Sequence, residues 1–323
     1  MEMDLYNYIP QETFKQKHLL SIQDYSPDEI YQVLNLALKL KADNKKGISH
    51  NNILNGKTLG MIFSKSSTRT RVSFEVGIHQ LGGYGLFLNS SDIQLGRGET
   101  IEDTAKVLSR YLDGIMIRTF AQEDVEDLAR YGSIPIINGL TDLLHPCQIL
   151  ADLMTIYEAK GVLKGLKLAY IGDGNNVFHS LLLACTKIGI DISFGGPEGY
   201  QPQESILKKA YLNSQYSGSK ILITQDPKEA IEDGDIVYTD VWTSMGQEEE
   251  TVNRWNTFLP YQVNEDLFSL AKPDSIFLHC LPAHRGEEVT KGVIDGRNSL
   301  VFEEAENRLH VQKAIMVLLM ADR

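Results

Sequence analysis

The chain has 323 residues, 42% of them apolar and 8% aromatic, with a formal net charge of −12 at pH 7. That length and composition allow two ordinary domains with full cores. The acidic balance argues against a nucleic-acid surface or an anionic membrane as partner, and no stretch reaches the roughly 18 apolar residues of a membrane helix.

The N-terminus, MEMDLYNYIPQ, carries early acidic residues. It has neither a secretory apolar run nor the Arg-rich character of a transit peptide. Cys147, Cys185 and Cys280 form no C-x-x-C pair and cannot all pair with one another. Both features predict a reducing, cytoplasmic location.

The first clear element is a helix from Pro27 to about Lys46. Ser26-Pro27-Asp28-Glu29 reads as a capping box with proline at the first helical position. Short apolar runs then alternate with helical patterns. Strands are predicted near 58–63, 84–88, 114–118 and 134–138, and helices near 70–81, 100–111, 122–131 and 146–158. After Ala159-Lys160-Gly161 the alternation resumes, with strands near 167–172, 191–194, 220–224, 235–239 and 275–279. The intervening helices fall near 177–188, 203–213, 227–232 and 264–271, and a last helix runs from about Glu304 to Met320.

Alternation on this scale predicts an α/β protein of two doubly wound parallel-sheet domains joined by interdomain helices. The expected division is 1–148, with the terminal helix 308–323 packing back, and 149–307. In such sheets ligands sit beyond the carboxyl ends of the strands. The segments 66–71, Arg118-Thr119, 138–148, 173–176, 240–246 and 279–285 are all expected just after strands, which predicts one shared site in a cleft between the domains.

Ser66-Ser67-Thr68-Arg69-Thr70-Arg71 is the most informative of these segments. A strand that empties into hydroxyls, a guanidinium fork and a helix N-terminus suits a doubly charged oxyanion. The alternative is an ordinary Ser/Thr cap followed by a solvated basic turn. Arg69 and Arg71 are two apart and cannot share a helix face, and Arg71 sits four residues before Glu75, where a surface pair is expected.

Arg118 ends a predicted strand and needs an anionic partner from the protein or a ligand. His145-Pro146-Cys147-Gln148 places a histidine at a helix start, where it tends to stay neutral and can donate to a carbonyl, or can simply cap the helix. Asp240, followed by Ser244 and Gly246, can hold an ammonium group. Cys280 at a strand end is a nucleophile, a proton relay or a small buried packing residue. Adjacent His279 and Cys280 are expected to point apart, and no further Cys or His lies at zinc-ligand spacing. Gly172-Asp173-Gly174-Asn175-Asn176-Val177 lacks the third glycine of a dinucleotide loop, and Gly195-Gly196 stand where the ribose carboxylate belongs, which argues against nicotinamide binding.

S-T-R-T-R at 67–71, H-P-x-Q at 145–148, D-x-x-x-S-M-G at 240–246, H-C-L-P at 279–282 and E-N-R at 306–308 together resemble the ornithine carbamoyltransferases, in this order and across essentially the whole chain. The resemblance implies that Ser67, Thr68, Arg69, Thr70, Arg118 and Arg308 hold the phosphate of carbamoyl phosphate, and that His145 and Gln148 hold its carbamoyl group. It implies that Asn176, Asp240, Ser244 and the Met245 backbone grip the α-amino and carboxylate groups of L-ornithine, with Cys280 and Leu281 by the reacting centre. Arg118, His145, Asp240 and Cys280 are the expected catalytic set. Gln94 matches a position that reaches a neighbouring subunit's carbamoyl-phosphate site, implying a homotrimer or a multiple of trimers. No metal or other cofactor is expected.

Related aspartate carbamoyltransferases carry a different residue at the position of Cys280. Putrescine carbamoyltransferases share R-G-E-E-V after H-C-L-P, but lack the Asn175-Asn176 pair and S-M-G, and carry an extra C-terminal helix. The expected reaction is therefore carbamoyl transfer to ornithine, with putrescine the alternative substrate. A nicotinamide oxidoreductase and a non-catalytic amino-acid sensor are the rivals from other classes; Arg118 and His145 favour an enzyme over the sensor.

Overall fold

A computed structural model of the chain describes residues 4–94, 98–243 and 251–321. The chain divides into two compact units. One runs up to Met154 and resumes from Glu306; the other spans Thr155–Ala305.

The first unit begins with helix α1 (Pro27–Lys45), whose start is the expected capping box: Ser26 Oγ accepts from Glu29 N–H at 3.1 Å and Glu29 Oε2 accepts from Ser26 N–H at 2.9 Å. There follow β1 (Thr58–Phe63), α2 (Thr68–Gln80), β2 (Tyr84–Asn89), α3 (Ile101–Leu108), β3 (Gly114–Arg118), α4 (Gln122–Tyr131), β4 (Ile136–Leu140) and α5 (Pro146–Lys160). The strands form a parallel sheet in the order β2-β1-β3-β4. Ile62, Ile115, Ile117 and Ile136 pack with Ala105, Val125 and Leu128 in its core. Each fully buried aliphatic side chain of this kind contributes roughly 1.5–3 kcal/mol.

The second unit carries β5 (Lys167–Ile171), α6 (Asn176–Ile188), β6 (Asp191–Gly195), α7 (Glu204–Ser217), β7 (Ile221–Thr224), α8 (Pro227–Ile231), β8 (Ile236–Thr239), α9 (Thr251–Phe258), α10 (Glu265–Phe268), β9 (Ile276–Leu278) and α11 (Lys291–Ile294). Its sheet is also parallel, in the order β7-β6-β5-β8-β9. The last helix, α12 (Val301–Met320), ends the chain, and both divisions between units fall within helices, α5 and α12.

Strand order positions the chemistry. In the first sheet the chain leaves β1 toward β2 and later returns to its other side as β3. In the second it leaves β5 toward β6 and returns as β8. Each reversal is a switch point, where the loops after two neighbouring strands diverge and leave a crevice.

Several boundaries differ from those the sequence predicts. The fourth strand is 136–140, not 134–138, because Pro135 has no N–H to give the ladder, while Leu140 still accepts from Thr119 N–H at 3.0 Å. Asn138, Gly139 and Leu140 therefore lie within a strand rather than after it. The helix expected over 264–271 is only Glu265–Phe268, since the residues beyond it close three-residue turns, Leu270 N to Leu267 O and Ala271 N to Phe268 O. The last helix starts three residues before Glu304, with Glu304 N–H bonded to Leu300 O at 2.9 Å. No expected element corresponded to α9.

Candidate active site

In the first unit the switch point lies between β1 and β3, whose last residues Phe63 and Arg118 are paired. Ser67 is the N-cap of α2: its Oγ accepts from Thr70 N–H at 3.2 Å, and its own O–H remains a donor. The cap and oxyanion readings of this segment are thus compatible. Thr70 is fully buried and its Oγ1 accepts from Arg308 Nη2 at 2.7 Å. Thr68 is exposed, and Arg69 is partly so. Arg71 pairs with Glu75 at 3.4 Å, as its spacing predicts, and also lies 3.7 Å from the Phe87 ring.

Arg118 (8% exposed), His145 (4%) and Arg308 (3%) are buried. His145 precedes the first residue of α5, and its carbonyl accepts from Gln148 and Ile149 N–H groups. Its pKa is held well below the ordinary histidine value, first by burial and then by the charges of Arg308, Arg118 and Arg69. Burial and three guanidinium groups thus favour the uncharged imidazole, a form that can donate a hydrogen bond without adding charge. A dianion among these arginines offsets their mutual repulsion. Gln148 is buried one turn into α5, its amide donating to Asp152 Oδ1 at 2.8 Å. Burial pushes the Cys147 thiol up to about 12, so it is inert, and it donates to Asn138 O at 3.3 Å. Gln94 is exposed beyond β2.

In the second unit the switch point lies between β5 and β8. The Asn175 side chain caps α6 by accepting from Val177 and Phe178 N–H groups, and its Nδ2 donates to Asp240 Oδ2 at 2.8 Å. Asp240 Oδ1 accepts from Val241 N–H at 2.8 Å and from the Cys280 thiol at 3.0 Å. The thiol of Cys280 is thereby tied into the same hydrogen-bonded set as Asp240 and Asn175. Asn176 is the first residue of α6 and partly exposed. Ser244 and Met245 lie outside the described residues.

The loop bearing Cys280 and Leu281 is pinned by buried polar groups. His279 N–H donates to Glu304 Oε2 at 2.9 Å, and Tyr238 O–H donates to Glu304 Oε1 at 3.1 Å. His279 Nδ1 accepts from Leu281 N–H at 2.9 Å, which leaves Nε2 as the donor to Glu288 Oε1 at 3.2 Å. Leu281 takes a left-handed φ of 55° before a cis bond to Pro282. Sequence spacing suggested no metal-capable group here, yet the fold brings one donor atom each of Asp240, His279 and Cys280 within 4.8 Å of one another. Each of the three has a protein partner, and His279 acts as a clamp on the loop.

Asn175, Arg254, Glu288 and Glu304 were not among the expected residues. Arg254 is buried, donates to Trp242 O at 2.6 Å, pairs with Asp173 and lies over the rings of Tyr200 and Phe258, tying the loop after β8 to the loop after β5. Asn175 had a readable signal, an N-cap residue before an apolar helix. Arg254 had none.

Two parallel α/β sheets, one with buried arginines about a histidine at its switch point and the other with a hydrogen-bonded Asp–Asn–Cys set, have the make-up of a two-domain transferase. The chain belongs to the aspartate/ornithine carbamoyltransferase family: the model of the carbamoyl-P binding domain matches residues 17–158, and that of the Asp/Orn binding domain matches 164–319. Its relatives include the ornithine carbamoyltransferases of Oceanobacillus iheyensis, 61% identical over 97% of each chain, and Thermococcus kodakarensis, 58% identical over 94% of this chain and 96% of the relative. The solved ornithine carbamoyltransferase of Pyrococcus furiosus superposes with a TM-score of 0.93 at 55% identity, over 96% of this chain and 98% of that one.

Proposed function

We propose that the protein transfers the carbamoyl group of carbamoyl phosphate to the δ-amine of L-ornithine, giving L-citrulline and phosphate. The observation that carries this reading is the gathering of Arg69, Arg118 and Arg308 about a buried His145 at a helix start. Ser67, Thr68, Arg69, Thr70, Arg118 and Arg308 hold the phosphate, and each charge-assisted bond contributes roughly 1.5–3 kcal/mol. His145, with Arg118 and Thr70, polarises the carbamoyl oxygen, while Gln148 holds the carbamoyl amide. The neutral δ-nitrogen attacks the carbonyl carbon, the carbon–oxygen bond to phosphate breaks, and the proton lost by the amine ends on the departing phosphate. The arginines and the α2 N-terminus stabilise the charge that grows on the departing phosphate.

In the second unit Asp240 binds the α-ammonium and Asn176, Ser244 and the Met245 backbone bind the carboxylate. Anchoring both groups leaves the δ-nitrogen as the only amine that can approach. Asn175 and Cys280 orient the Asp240 carboxylate, and Leu281 lies by the reacting centre. The thiol donated to Asp240 supports direct attack over a carbamoyl–cysteine intermediate. We assign the first domain to carbamoyl phosphate and the second to ornithine. The protein acts in arginine metabolism in the cytoplasm as a homotrimer or a multiple of trimers, with Gln94 completing a neighbour's site.

A citrulline assay run with ornithine, putrescine and aspartate side by side tests the reading. Turnover of ornithine alone is expected. Equal or greater turnover of putrescine would overturn the choice of substrate and leave carbamoyl transfer intact.

A further inference from the structure

The first unit contains a cavity of about 490 Å³ whose lining includes Ser49, His50, Asn51, His79, Gln80 and Lys313. No residue lining it is acidic. Lys313 is only 1% exposed, yet no carboxylate among the described residues lies within ion-pair distance of it. Its ammonium donates to Gln80 Oε1 at 2.9 Å and faces His50 Nδ1 at 3.3 Å, so an amide and an imidazole take two of its three donors. Accepting from Lys313 leaves the Gln80 amide nitrogen as a further donor. His50 is buried and fixed from its other side by Asp43 at 3.3 Å, which orients the Nδ1 lone pair toward the lysine.

A buried cation without a carboxylate is costly unless a counter-ion reaches it. Burial lowers the Lys313 pKa, the expected response of an ammonium held without one. The backbone makes no allowance for a larger gap here: a Cβ on Gly77, one turn before Gln80, would stand 3.3 Å from Lys313 Cγ and 3.0 Å from Met316 Cε, so α2 and α12 are already in close contact. On its other side Lys313 is among the residues that line the cavity.

We propose that this cavity binds a small, polar molecule bearing an oxyanion, a phosphate or a carboxylate, with Lys313 as its charge partner and His79, Gln80 and Ser49 as further hydrogen-bond donors. It is distinct from the oxyanion site at Ser67–Thr70. Thr68 and Gln80 are the two ends of α2, twelve residues or about 18 Å of helix rise apart. The inference does not depend on the substrate assigned above.

The test is calorimetric titration of the intact protein with inorganic phosphate and, separately, with citrate. Wild type should show a binding event for at least one probe that survives Arg69→Ala, and that event should weaken at least tenfold in Lys313→Met. Ser49→Asp, which keeps the acceptor for Asn51 N–H but adds a negative charge to the cavity wall, should have the same effect and serves if the lysine variant fails to fold. Phosphate alone, or citrate alone, in that event identifies which oxyanion the cavity takes. If every event is lost in Arg69→Ala, or if an event surviving it is unchanged by Ser49→Asp and by any folded Lys313 variant, the proposal is wrong.

Discussion

Arg308 Nη2 donates to Thr70 Oγ1 at 2.7 Å, a buried bond between residues 238 apart in the chain. It fixes the guanidinium of the last helix against the first turn of α2, beside the capping hydroxyl of Ser67. Arg308→Met should keep much of the aliphatic packing but lose the charge and leave Thr70 Oγ1 without its donor. We expect the KM for carbamoyl phosphate to rise at least tenfold while that for ornithine changes little. The melting curve should reveal a stability loss of about 1–3 kcal/mol for the unsatisfied hydroxyl. Unchanged carbamoyl-phosphate kinetics in a folded variant would remove Arg308 from the phosphate site.

Asn175 has two separable duties, capping α6 and orienting Asp240. Asn175→Ala should lose both, with a stability cost of about 0.5–2 kcal/mol for the cap. Asn175→Asp should retain the cap, and its negative charge suits the helix N-terminus, but it sets a second carboxylate against Asp240. The ornithine KM should therefore rise in both variants, whereas stability should fall chiefly in the alanine one. Steady-state kinetics with each substrate varied in turn, paired with denaturant unfolding, separates the two duties.

His145 and His310 both have depressed pKa values. Burial is the first cause in each, with three arginines adding to it at His145; His310 is lowered to about 4. In the unfolded chain both protonate near the ordinary value of about 6.5. Below that pH the unfolded state binds protons that the folded state refuses, so stability is full above pH 6.5 and falls as the pH drops toward 4. Urea midpoints measured between pH 7.5 and 4.5 should decline, and the decline should be shallower in His310→Gln. An identical slope in the variant would show that His310 does not contribute.

If Gln94 completes a neighbour's site, mixing inactive Gln94→Ala and Arg69→Ala subunits should restore part of the activity. Some sites in the hybrid then combine an intact loop from one subunit with an intact Arg69 from another. Verified hybrids that stay inactive would place the loop in its own subunit's site.

Features that rest on short-range geometry were legible in the amino-acid order alone. The capping box at Ser26 and Glu29, the Ser67 cap and the Arg71–Glu75 pair all follow from helix positions three or four residues apart, whatever the rest of the chain does. The strand–helix alternation was equally legible, because apolar periodicity is local. It therefore announced two parallel-sheet units and put most chemical segments after strands. Strand order, and with it which loops share a switch point, emerged only from the folded chain. Arg308 with Thr70, Asn175 with Asp240, Arg254 with Asp173, and Glu304 with His279 join residues tens to hundreds of positions apart, and nothing in their local sequence favours those partners over others. The burial of Lys313 is of the same kind. A helical pattern shows that a lysine lies on a face, but what that face packs against depends on how distant segments meet.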